Sequence, residues 1–254
     1  MHVIFRETHG MEETAIPQDL GQEPADLVVL SFSDSDLGAF AEGWRKAQAA
    51  DPAFPSLRLA NLAALIHPLS VDTYIEKTLA GAKAVLIRLI GGTPYWSYGL
   101  QQVEILARSR GIALAVLPAD GRPDWLLDSA STLPPATLAK LCQLCDEGGA
   151  AAARAALVAL AHAAGLGGST VMQCTALPAT GGWHPSCGII DPATFRPNED
   201  RPLILIVFYR AYLAAHDLHP ITALHSALEQ RGFDALSIFV PSLKPPEVRA
   251  QVDR

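Results

Sequence analysis

Ala84-Val-Leu-Ile-Arg-Leu-Ile-Gly-Gly-Thr-Pro-Tyr-Trp-Ser-Tyr-Gly99 carries an apolar run with a single arginine into two glycines and three aromatic residues. An apolar run bounded by glycines reads as a buried parallel strand, and a double glycine at its carboxyl end opens a loop of the kind where open α/β sheets hold ligands. Arg88 is therefore a charge written into a core strand. A buried guanidinium is costly unless paired, so the sequence predicts an anion near Gly91 and Gly92, either a carboxylate of this protein or one of a ligand.

The alternation continues outward from this strand. Upstream, His2 to Phe5, Leu27 to Leu30 and Leu57 to Asn61 read as strands, with a helix from about Asp36 to Ala50. A second helix starts near Ser70, which caps it, with Asp72 and Glu76 favouring its first turns. Downstream, a helix from Tyr98 to Arg110 is stopped by Gly111, and Ile112 to Leu117 is the next strand. Strands separated by helices predict an α/β fold, a doubly wound parallel sheet. Pro134 to Leu166 is helical without strands and includes an alanine-rich run, so an amino-terminal domain spans 1–166 and ends in helices. Residues 167–202, rich in Pro and Gly, read as a connection. Leu203 to Tyr209 and Leu236 to Val240 are strands joined through a helix at His219 to Gln230, the beginning of a second α/β domain over 203–254. Two strands and one crossover do not bury both faces of a sheet. The expectation is that the chain is the leading part of something longer; the alternative is that 203–254 packs on the first domain.

Composition narrows the function classes. Half of the 254 residues are apolar, enough for a large core. With 19 basic and 26 acidic residues the net charge is -7 and no basic stripe appears, which argues against nucleic acid and against an anionic membrane surface. The apolar runs are too short to cross a bilayer, and Met1 to Phe5 runs straight into Arg6 and Glu7, unlike an export signal, so a cytoplasmic protein is expected. Cys142 and Cys145 lie in a helical pattern without a second matching pair, and only Cys174, His184 and Cys187 stand together elsewhere. Buried thiols are the reading adopted, and no metal site is assigned.

Three loops carry candidate site residues. His67, held extended before a proline, is a candidate base that Asp72 and Tyr74 are placed to orient, or else a helix cap. In the loop after the Arg88 strand, Gly91, Gly92, Tyr95, Trp96 and Tyr98 offer a platform for a flat conjugated ligand with Arg88 anchoring a carboxylate, or else form a packed corner. The glycines make neither the Rossmann spacing nor a Walker loop. In the second domain Tyr209, Arg210, Ser242 and Lys244 follow the ends of two parallel strands and share one edge, as ligand groups or as solvated loop residues. No catalytic set stands out.

Taken together, several segments resemble the large subunit of aerobic cobaltochelatase, the CobN family, related to the porphyrin-binding large subunit of magnesium chelatase. They are Asp19-Leu-Gly-Gln with Pro24-Ala-Asp-Leu-Val, Phe54-Pro-Ser-Leu-Arg-Leu-Ala-Asn-Leu62, His67-Pro-Leu-Ser-Val-Asp-Thr-Tyr74 and the Arg88 to Gly99 stretch. Gly111-Ile-Ala-Leu-Ala-Val-Leu-Pro118, Leu203 to Arg210 and Phe239-Val-Pro-Ser-Leu-Lys244 continue the likeness over nearly the whole chain. Family members are several times longer, so the resemblance implies an amino-terminal portion, inactive alone. It implies a role in ATP-dependent insertion of cobalt into hydrogenobyrinic acid a,c-diamide during cobalamin biosynthesis. Cobalt is then a substrate, ATP and magnesium act through AAA+ type partner subunits, and this portion binds no cofactor of its own. The carboxylates of the corrin ring would give Arg58, Arg88 and Arg210 partners. Alternatives are the magnesium chelatase porphyrin-binding subunit, a non-catalytic docking module for the ATPase subunits, and a small-molecule sensor domain.

Overall fold

All five side chains of Leu27–Ser31 (β1) are buried, and so are all six of Ala84–Leu89 (β3), because each strand is covered on both faces. The computed structural model describes residues 16–167, 176–246 and 248–249. The strand expected at His2 to Phe5 and the thiol Cys174 lie outside the described residues. Contacts divide the chain into units at 1–176 and 177–254.

In the first unit β1 and β3 are joined by Leu57–Asn61 (β2) and Ala113–Pro118 (β4) in the order β2-β1-β3-β4, every pair parallel. The helices are Asp34–Ala50 (α1), Pro68–Lys77 (α2), Ser97–Arg110 (α3), Trp125–Ala130 (α4), Pro135–Glu147 (α5) and Gly149–Ala163 (α6). Period-two alternation sends Val28, Leu30, Val85, Ile87 and Val116 to the side of α2, α3 and α4. Leu27, Val29, Ala84, Leu86 and Ala115 face α1, α5 and α6. The doubly wound sheet is thus present, and the alanine run has a reason. A methyl group on Gly43 of α1 would meet the α6 backbone at Arg154 N, at 2.6 Å, so the two helices touch through small residues.

Local chemistry sets the helix ends. Ser33 caps α1 by accepting from the Asp36 N–H, and Gly111, at φ 69°, closes α3 in the left-handed conformation. The helix expected from Ser70 begins two residues earlier, at Pro68, with the His67 imidazole as its cap. Ser70 is instead buried and accepts from the Gln18 N–H. A proline at the first helical position needs no N–H partner, which lets the turn start there.

At the amino end of the sheet, Asp26 and Ser56 bind each other reciprocally. The Ser56 N–H and hydroxyl donate to Asp26 Oδ2 at 3.0 and 2.6 Å, and the Asp26 N–H donates to Ser56 Oγ at 3.0 Å. These bonds, the Ser56 hydroxyl first, hold the Asp26 carboxyl below its ordinary pKa. The folded state therefore binds the carboxylate preferentially: the stabilisation is complete above the unfolded value of about 3.9 and is lost as pH falls through the folded value. The gap in urea midpoint between the parent and Asp26→Asn is expected to be widest near neutrality and to close on acidification; a gap that widens in acid contradicts the assignment.

The second unit departs from expectation. The stretch read as a connection contributes Gly181–His184 (β5) and Gly188–Ile190 (β6), which join Leu203–Tyr209 (β7) and Asp234–Val240 (β8) in the order β6-β5-β8-β7. β7 and β8 are parallel, whereas β5 runs antiparallel to both β8 and β6, so this sheet is mixed. Strands of four and three residues containing glycines lack the periodicity that identifies a strand. Arg210–Ala214 (α7) and His219–Gln230 (α8) complete the unit. Trp183, Ile206, Phe208, Ala235 and Phe239 pack with Leu213, Leu218 and Ile221 on one face. On the other face the edge strand β7 leaves Leu203, Leu205, Val207 and Tyr209 exposed. No described helix is long and apolar enough to cross a membrane.

Candidate functional site at the carboxyl edge of the first sheet

The strand order reverses between β1 and β3: β1 leads through α1 to β2 on one side, and β3 leads through α3 to β4 on the other. That reversal parts the loops at the carboxyl ends of β1 and β3, where α/β sheets place their crevice. Ser31 and Arg88 are register partners there.

The anion predicted for Arg88 comes from the protein. The residue is only 5% exposed, and its guanidinium lies with Nη1 3.3 Å from both carboxylate oxygens of Asp36 and Nη2 3.0 Å from Asp146 Oδ1. Nη2 also donates to the Pro118 carbonyl at 3.3 Å, and Nη1 lies 3.4 Å from that of Cys145. Asp36 Oδ2 in turn accepts from the Ser31 hydroxyl at 3.0 Å. Asp36 stands in the first turn of α1, where the helix dipole favours a carboxylate, and Asp146 in the last of α5. One cation thus ties β3 to helices that follow β1 and β4.

The adjoining loop is packed against itself. Gly91 and Gly92 both have φ of 79°; the Tyr95 ring covers Gly91, and a methyl group on Gly92 would come within 2.8 Å of an Asp124 carboxylate oxygen. Trp96 is buried, its Nε1 donates to the Leu65 carbonyl at 2.8 Å, and its ring lies over Gly99. Tyr95 is exposed, while Tyr98 is half-buried and donates to Asp72 Oδ1 at 2.8 Å. That bond, made from the protonated phenol, raises the Tyr98 pKa. Of the three aromatics, the indole is therefore a core group joining this loop to the turn after β2 rather than an open face.

The remaining candidates are placed as follows. The His67 Nδ1 accepts from the Leu69 N–H at 3.1 Å, the capping alternative, while Asp72 receives Tyr98 and the Tyr74 hydroxyl donates to Gln22. Arg58, opposite Val28 and away from the carboxyl edge, donates to the carbonyls of Glu23 and Leu57. In the second unit Arg210 donates to the carbonyls of Pro178 and Leu177, and burial lowers its pKa. Tyr209 is exposed as the last residue of β7 and Lys244 is exposed beyond the carboxyl end of β8, where Ser242 Oγ accepts from the Lys244 N–H.

Sequence reasoning missed Asp36 and Asp146 as the partners of Arg88. Asp36 had a signal, its place one turn into the helix after β1; Asp146 had none. It also missed His225 and Glu229, one turn apart on α8, because their companion His184 lies 41 positions upstream of His225.

Cys142 and Cys145 are free thiols on α5. Burial pushes the Cys145 thiol up to about 12 and raises Cys142 as well. At mildly alkaline pH, iodoacetamide is expected to modify Cys145 roughly a hundredfold more slowly than an unperturbed cysteine. Among the described cysteines the exposed Cys187 should react first, which peptide mapping by mass spectrometry checks.

A family model described as CobN/Magnesium Chelatase matches residues 142–254. Two curated relatives, both described as aerobic cobaltochelatase subunit CobN, are 33% identical to this chain. The match to the protein from a Sinorhizobium species runs over 256 residues, 96% of this chain and 20% of the relative. That to the Pseudomonas aeruginosa protein runs over 259 residues, 100% of this chain and again 20% of the relative. The chain thus spans about a fifth of the length of these relatives. Among solved structures, the catalytic subunit of cobaltochelatase from Mycobacterium tuberculosis superposes with a TM-score of 0.66 at 23% identity, covering 89% of this chain and 17% of that one, and shares its fold. With likeness running the length of both units and a family model matching across the second sheet, the chain belongs to the CobN/magnesium chelatase family.

Proposed function

We propose that this chain is a scaffolding section of a cobaltochelatase large subunit, in which the subunit inserts cobalt into the corrin-type ring hydrogenobyrinic acid a,c-diamide while partner ATPases in the cytoplasm supply the driving force. The relatives support the chemistry, since both are described as cobaltochelatase subunits. One observation carries the scaffolding role: the charge at the crevice of the first sheet is already matched, with Arg88 between Asp36 and Asp146. Both terminal nitrogens of that cation are engaged and only Nε lacks a hydrogen bond, so turning the guanidinium to a ring carboxylate would break contacts that hold three elements together. The apolar stripe of β7 supports the same role, because Leu203, Leu205 and Val207 form a surface suited to further protein.

A chimera tests this reading. This chain replaces the segment of the Pseudomonas aeruginosa subunit with which it aligns, and cobalt insertion is assayed with the ATPase subunits present. Retained insertion is the expected result; a chimera that folds and assembles but does not insert cobalt overturns the assignment. In parallel the free chain is titrated with the ring and its visible spectrum followed. No shift is expected, and binding that weakens in Arg88→Met returns Arg88 to the ring.

A further inference from the structure

In the second unit, the carboxyl end of β5 meets one face of α8. His184, the last residue of β5, His225 and Glu229 each bring a ligand atom to within 4.8 Å of the others. The two imidazoles meet edge to face, ring centroids 5.0 Å apart. Nε2 of His225 stands 3.6 Å from a Glu229 carboxylate oxygen, too long for a hydrogen bond but close to the separation of two ligands sharing one ion at 2.0–2.2 Å.

The second observation is an orphan. His225 is fully buried, yet its Nε2 has no hydrogen-bond partner. A buried polar atom left unpaired is expensive, and the few in native structures call for an explanation. The other nitrogen, Nδ1, lies 3.0 Å from Oγ of the buried Ser237 on β8. Once Nδ1–H donates to that oxygen, the tautomer is fixed and the Nε2 lone pair points at Glu229 and His184. This is how metal-binding histidines are oriented, by an outer partner on the nitrogen that does not ligate. His184 Nδ1 accepts from the Ser186 N–H at 3.2 Å and lies 2.9 Å from the Ser186 hydroxyl; because a neutral imidazole has a single ring-nitrogen lone pair, ligation of an ion through either nitrogen gives up that N–H bond.

We propose that His184, His225 and Glu229 form a binding site for a divalent first-row transition ion, with Ser237 as the positioning residue behind His225. Two imidazoles and one carboxylate suit zinc, cobalt(II) or nickel(II) and disfavour magnesium and calcium, which take oxygen donors. Three protein ligands leave a coordination position open. The half-exposed Glu229 gives the ion a route from solvent, so the site is one from which an ion can be exchanged. The inference is independent of the scaffolding role, because it concerns ion binding by this chain alone.

The test titrates cobalt(II) chloride into the tag-free, metal-stripped 254-residue chain. The readouts are the visible d–d absorption of the bound ion and calorimetric stoichiometry, with zinc and magnesium chlorides as companion probes. One equivalent of cobalt(II) with the spectrum of a four- or five-coordinate ion, displaced by zinc and not by magnesium, is expected. Glu229→Gln and His184→Ala should each weaken binding by about a hundredfold, and Ser237→Ala by roughly tenfold. His225 is buried, so His225→Ala is interpreted only if its circular dichroism matches the parent; the two more exposed ligands keep the test decisive. Binding that is unchanged in both Glu229→Gln and His184→Ala, or absent from the parent, overturns the site.

Discussion

Arg88→Ala is expected to lower the unfolding free energy by about 3 kcal/mol, from loss of the bridging cation and a gap where its stem filled the carboxyl edge of the sheet. The Arg88 side chain is 6% exposed, whereas the Asp36 and Asp146 side chains keep 21% and 45% of their surface in contact with water. That inequality sets the order of the partner substitutions. Asp36→Asn should cost about 1–2 kcal/mol, since it removes the less solvated carboxylate and weakens the acceptor for Ser31. Asp146→Asn should cost less than about 1 kcal/mol, because an exposed partner is readily replaced by water. Arg88→Met retains most of the stem and removes the charge, and should fall between the two arginine and aspartate extremes. Urea unfolding followed by circular dichroism measures all four. A coupling near zero between Arg88→Met and Asp36→Asn would show that the pair is a neighbourly arrangement and not a brace.

This brace also shows how far the sequence could be read. A lone arginine in an otherwise apolar run forces the conclusion that an anion stands nearby, because no other arrangement makes a buried guanidinium tolerable. It does not say which anion. The partners come from positions 36 and 146, and only the closed sheet brings them to position 88. Apart from the helix Trp125–Ala130, the described strands and helices of the first unit were legible for the same local reasons that stabilise them: apolar runs of strand length, Gly111 at a helix end, alanine-rich helix propensity. The second sheet was half legible. β7 and β8 are seven-residue strands with strong apolar content, whereas β5 and β6 exist because β8 offers an edge for pairing, a tertiary cause with no local signature. The same limit hides the His184, His225 and Glu229 cluster, which a strand end and a helix face create jointly. Trp96 marks a different kind of limit. An aromatic beside glycines reads equally as a platform or as a corner, and the choice depends on whether the turn after β2 presents a carbonyl to its indole, as Leu65 does.

Trp96→Ala separates those two meanings, and its expected effect is the largest of any single substitution in the loop. An open platform residue could be removed with loss of ligand and little loss of stability. A buried indole takes its whole contact area with it, and truncation of such a side chain costs about 3–5 kcal/mol. Trp96 is 5% exposed, is packed within the core that includes Leu62, Leu65, Val71 and Leu100, and rests on Gly99, whose missing side chain makes room for the ring. Trp96→Phe keeps much of the apolar area and loses the N–H donor to Leu65, so it should cost less than Trp96→Ala by about 2 kcal/mol, with the unpaired Leu65 carbonyl contributing about 1–2 kcal/mol of what remains. The expected order of urea midpoints is therefore parent, then Phe, then Ala. Amide exchange over 62–65 should quicken in the alanine variant, because the indole is what ties that turn to the loop after β3. Midpoints that coincide for all three proteins would mean that the indole is dispensable to the fold, and the loop would then have to be reconsidered as a surface kept for a ligand.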